Sequence, residues 1–148
     1  MKQLYLFAFI TLVFFVRCNS PQKSEEIQRY SNYINTISIN DNNKLYIFVP
    51  LHMCDSHLIG FIEFINTVDT NTITLIFIGN TKKDFLIKTK DLIKKDAVFF
   101  DKISDQNKFI SKSNIAIIEK TDNQISLIKY PENNAYKITK KINEFLEN

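Results

Sequence analysis

Tryptophan is absent from this 148-residue chain, and glycine, cysteine, methionine and histidine occur only twice each. Two cysteines, Cys18 and Cys54, allow one disulfide at most, and none if Cys18 is consumed by another modification. No Ser-His-Asp arrangement, P-loop or paired-carboxylate motif stands out. No apolar run reaches the roughly 20 residues that a membrane-spanning helix needs; the longest, Leu4 to Val16, is interrupted by Thr11. Charge of one sign is also missing, with 19 basic residues against 16 acidic ones. The scarcity of glycine makes hydrophobic periodicity a better guide to structure than residue propensity.

The apolar run follows Lys2 and ends at Arg17-Cys18, with polar Asn19, Ser20, Pro21 and Gln22 beyond. A short positive start and an apolar stretch of this length have the form of an export signal over residues 1–17. The Cys at the cleavage position resembles a bacterial lipoprotein signal, although Arg17 stands where that pattern has a small residue. The resemblance implies that Cys18 becomes the lipidated (palmitate-bearing) first residue of the mature chain, with residues 18–23 as a tether. An uncleaved anchor and ordinary cleavage nearby are the alternatives. Each reading puts the rest of the chain outside the cytoplasm, in a bacterial cell envelope. About 130 residues then remain, enough for one domain over residues 24–148. Lys2 and Arg17 lie in the signal and no acid does, so the mature balance is 17 basic to 16 acidic. Near neutrality argues against a nucleic-acid partner.

Periodicity predicts a helix over Ser24–Asn35, with Ile27, Tyr30 and Ile34 on one stripe, and a turn over Asn40–Asn43. Lys44–Val49 and Thr72–Ile78 are unbroken apolar strands of the kind buried on both faces, the first ended by Pro50. Between them Ser56–Val68 carries Leu58, Phe61, Ile62, Ile65 and Val68 at helical spacing, with Asp55 or Ser56 as its cap. Thr81–Lys95 is a second helix opened by a Thr81/Asp84 capping box. Ala97–Phe100 is a short third strand. Asn114–Glu119 and Gln124–Tyr130 form a hairpin, broken by Pro131, and Asn133–Leu146 is a terminal helix. Alternating units give parallel strands and the hairpin adds antiparallel ones, so the fold class is α/β with a mixed central sheet.

This order, and the run KLYIFV-PLHM-C-DSH-LIGFIEFI in which a strand delivers a Cys to a helix start, resemble a thioredoxin-like domain. AVFFD at 97–101 and the hairpin with its Asp-Asn turn resemble the redoxin and TlpA-like branch, found in many lipoproteins of Bacteroidetes-type bacteria. The resemblance covers Lys44 to the C-terminus and implies a three-layer α/β/α sandwich. Two departures bear on chemistry. The C-x-x-C of that family reads Cys54-Asp55-Ser56-His57, and the stretch before the hairpin, Ser111-Lys112-Ser113-Asn114, lacks the family's cis-proline. Dithiol exchange within one chain is therefore excluded.

His52, Met53, Cys54 and His57 fall within six residues and include both histidines. Three readings compete. In a monothiol redoxin, Cys54 is the nucleophile, its thiolate favoured by the helix N-terminus, and His57 is its partner. Adjacent Asp55 opposes this. The resolving group is then an external thiol or a protein partner. In a soft-metal site, His52, Cys54 and His57, with the Met53 thioether, bind copper, or zinc without the Met. In a non-catalytic binding module with a decayed redox site, Cys54 is a semi-buried small residue, Met53 packs on the core and the histidines are surface loop. No other cofactor is indicated.

Lys82, Lys83, Lys88, Lys90, Lys94 and Lys95 make the second helix basic, which reads as a solvated face ahead of a contact with anionic lipid. Gly60, inside a helix, is expected to allow close packing against a strand, and Phe99 and Phe100 to belong to the core.

Overall fold

Residues 45–50 (LYIFVP) are buried at every position, and a strand with two apolar faces is stable only with cover on both. In the computed structural model this strand, β1 (Leu45–Pro50), is central to a five-stranded sheet. The structure describes residues 21–37, 45–68, 72–89, 98–110, 114–121 and 124–147. The export segment 1–17, Cys18, the turn at 40–43, Lys90–Lys95 and Ser111–Ser113 lie outside the described residues.

The other strands are β2 (Ile73–Gly79), β3 (Val98–Lys102), β4 (Asn114–Lys120) and β5 (Ile125–Pro131), in the sheet order β3-β2-β1-β4-β5. β1 pairs in parallel with β2, and β2 with β3. On its other side β1 pairs antiparallel with β4, which pairs antiparallel with β5. The parallel and antiparallel halves thus meet at β1, where Ile47 stands opposite Leu75 on one side and Ile117 on the other.

Alternation along β1 separates two cores. Leu45, Ile47 and Val49 face helices α2 (Asp55–Thr67) and α4 (Ala135–Leu146), represented by Leu58, Phe61, Ile62 and Ile65 and by Ile138 and Ile142. Phe85 of α3 (Lys82–Thr89) packs on the same cluster and stacks on Phe100 at 5.1 Å. Tyr46 and Phe48 face the opposite way, onto Tyr30, Tyr33 and Ile34 of α1 (Pro21–Thr36) and onto Ile103, Phe109 and Ile110. The result is the expected three-layer α/β/α sandwich with a mixed sheet, a C-terminal hairpin and a terminal helix. No helix among the described residues is long and apolar enough to cross a membrane.

Differences from the sequence reading have local causes. α1 starts at Pro21 rather than Ser24, in keeping with the fit of proline to a first helical position. Pro50 is the last residue of β1 rather than a residue beyond it, and the ladder continues past it through Leu51 N–H to Ile78 O at 2.8 Å. A short 3-10 turn (Glu132–Asn134) precedes α4. Gly60 corrects an expectation: it is exposed, and a Cβ there would meet nothing within 4 Å, so it makes no close approach to a strand. The close approach is at Gly79, where a Cβ would lie 2.5 Å from Leu51 Cδ1. The Thr81/Asp84 capping box forms as read, with Asp84 N–H donating to Thr81 Oγ1 at 3.0 Å and Thr81 Oγ1 donating to Asp84 Oδ2 at 2.6 Å.

Candidate functional site

β1 ends in a turn whose backbone is pinned twice, by Leu51 N–H on Ile78 O and by Met53 N–H on Pro50 O at 3.3 Å. Its apolar side chains are pinned too. Leu51 and Met53 are each 3% exposed and belong to the core under α2. The alternation that sends these two inward turns His52 and Cys54 outward, and both are exposed.

Cys54 is the N-cap of α2, with φ −54° and ψ 132°, and its carbonyl accepts the Leu58 N–H at 3.0 Å. Asp55, read as a cap, is instead the first helical residue, and Cys54 makes no side-chain capping bond. The first amides of a helix lack intrahelical partners and carry partial positive charge, so a sulfur at this position sits in a field that favours thiolate. Ser56 Oγ is 3.2 Å from the sulfur.

The sequence made Asp55 an opponent of that thiolate. The fold answers it from α3: Lys88 Nζ lies 2.8 Å from Asp55 Oδ1 and 3.0 Å from Leu51 O. One ammonium thus ties the start of the loop to the start of the helix and offsets the neighbouring carboxylate. Sequence reasoning counted Lys88 among solvated lysines and missed this role, because its partners stand 33 and 37 residues away. Lys82 and Lys83 are exposed, as a solvated face requires.

His57 is half-buried, and its Nδ1 is buried without a hydrogen-bond partner. The hydroxyl beside the sulfur is that of Ser56, one residue before His57. The soft-metal set is not gathered: Met53 is in the core, and among the described residues no three His, Cys, Asp or Glu side chains form a group able to hold a metal ion.

Fold and site together define a three-layer α/β domain that presents an exposed thiol where a central parallel strand passes into a helix. No family model, curated protein or solved structure matches the chain.

Proposed function

We propose that the protein is an envelope lipoprotein whose domain acts as a monothiol redoxin through Cys54. The observation that carries this reading is the exposed Cys54 at the N-cap of α2, beside an Asp55 already paired with Lys88. The thioredoxin-like resemblance and the lipoprotein-type start supply the rest of it, with Cys18 as the anchor to the membrane.

In this mechanism the Cys54 thiolate attacks one sulfur of a disulfide in a small molecule or protein partner. A Cys54 mixed disulfide forms, and the other sulfur leaves as thiolate. The chain has no second cysteine after Cys54, so an external thiolate attacks the mixed disulfide, takes the partner's sulfur into a new disulfide and returns Cys54 as thiolate. His57 is the proposed proton partner for these thiolates.

Glutathione disulfide tests the step directly. Wild-type protein is expected to gain one glutathione by intact mass, on the peptide containing Cys54, and to lose it on addition of excess thiol. Absence of the adduct under conditions that modify an unfolded control would contradict the proposal.

A further inference from the structure

The two outer strands of the sheet differ in how well they are guarded. β3, at one end, is five residues long and finishes in the charged pair Asp101-Lys102. Short length and charge are devices that keep an edge from pairing with another chain. β5, at the other end, runs for seven residues in unbroken register with β4 and has no bulge. Its one charged residue, Lys129, is turned back onto Glu26 of α1 in an ion pair.

The hairpin turn fixes which backbone groups of β5 face outward. Thr121 N–H donates to Gln124 O at 2.9 Å, and Gln124 N–H donates to Thr121 O at 3.4 Å. In an antiparallel ladder, pairs that exchange both bonds in this way alternate with pairs that exchange none. Ser126, Ile128 and Tyr130 therefore bond to Glu119, Ile117 and Ile115, their register partners in β4. The N–H and C=O groups of Ile125, Leu127 and Lys129 point away from β4. Among the described residues, no loop or turn backbone group bonds to them. The side chains of these three residues share the α1 side of the sheet, with Leu127 in the core there and Ile125 37% exposed.

This row is complementary to itself. Two copies of β5 set antiparallel about a two-fold axis at Leu127 bring Leu127 opposite Leu127, and Ile125 of each copy opposite Lys129 of the other. Every outward N–H and C=O of the three residues then gains a partner, because like outward positions meet. The two Lys129 ammonium groups stay apart, each beside its own Glu26, so no like charges face each other across the junction. The exposed Ile125 lies against the apolar stem of the opposing Lys129. On the other side of the sheet Ser126 stands opposite Ile128, and both are only partly buried within one copy.

We propose that the partner of the β5 edge is a second copy of this chain, paired antiparallel about Leu127 so that one sheet runs through a two-fold dimer. The test is sedimentation of the full chain in detergent over a dilution series, with amide hydrogen exchange followed by NMR on the same samples. A dimer is expected in which the Leu127 and Lys129 amides, unbonded within one copy, exchange slowly and lose that protection on dilution. Ile125 is exposed, so charged substitutions there should keep the fold. Ile125→Lys sets an ammonium against Lys129 of the other copy and should weaken the dimer about tenfold, whereas Ile125→Glu should dimerise at least as tightly as the wild type. A monomer at every concentration would overturn the assignment and leave the edge to an extended segment of another protein. A dimer whose Leu127 and Lys129 amides exchange freely, or equal effects of the Lys and Glu substitutions, would also overturn it. Cys54→Ser should dimerise as the wild type does, so this result is separable from the redox reading.

Discussion

Lys88 Nζ stands 2.8 Å from Asp55 Oδ1, joining the start of α2 to the neighbouring helix α3. The pair is largely open to water, with side-chain exposures of 31% and 74%, so its effect on folding stability is expected to stay within about 1 kcal/mol. Its effect on the thiol is the larger one. Lys88→Met leaves the Asp55 charge uncompensated one residue from Cys54 and should slow iodoacetamide alkylation at neutral pH by about two- to fivefold. Lys88→Arg should stay near wild type, and Asp55→Asn should restore the rate in the Lys88→Met background. Equal rates in all four proteins would remove Lys88 from the site.

The two glycines are expected to respond oppositely to alanine. At Gly60 the helix gains propensity in open space, so Gly60→Ala should stabilise by about 0.5–1 kcal/mol. At Gly79 the new methyl group meets Leu51, itself fixed in the core at the base of the Cys54 loop, and Gly79→Ala should cost about 1–3 kcal/mol. Urea unfolding of the two variants checks both signs.

Asn107 satisfies a backbone carbonyl, a backbone N–H and a carboxylate oxygen from a buried position, so Asn107→Ala should destabilise by about 2–4 kcal/mol. Tyr33 in the same network has its pKa raised above the ordinary 10.0, by burial first and then by the hydrogen bond and the charge of Asp101. The unfolded chain ionises this tyrosine near its ordinary value while the folded chain still holds it neutral. Its contribution is therefore complete below about pH 10 and is lost as pH rises beyond that. Stability measured between neutral and strongly alkaline pH should fall less steeply for Tyr33→Phe than for the wild type.

The anchor has its own test. Palmitate should be incorporated into the wild-type chain in bacterial cells and not into Cys18→Ala. Equal labelling would contradict lipidation at Cys18.

The sequence's legibility followed the range of the interactions involved. β1 and β2 were readable because burial on both faces leaves an unbroken apolar run, and α2 because Leu58, Phe61, Ile62 and Ile65 repeat at helical spacing. The start of α3 was readable because a capping box is closed within three residues. Cys54 came to a helix start through the thioredoxin-like resemblance, while the local pattern pointed to Asp55 or Ser56 as the cap; Cys54 is itself the N-cap. Illegible were the groups that meet through the fold. Lys88 looks like any lysine of a basic helix until it reaches Asp55 and Leu51. Tyr33 and Asp101 are 68 residues apart, and neither neighbourhood announces the other. The two glycines had the reverse problem: each fits its local pattern, and only the packing of Leu51 shows which one leaves no room for a side chain.

The most direct measurement is the rate of Cys54 alkylation by iodoacetamide at neutral pH, in the folded protein and in the same chain unfolded in urea. An exposed sulfur at the start of α2, with Asp55 held by Lys88, should react faster in the folded protein than in the unfolded chain. An equal or slower rate in the folded protein would contradict the account of Cys54 as an activated nucleophile.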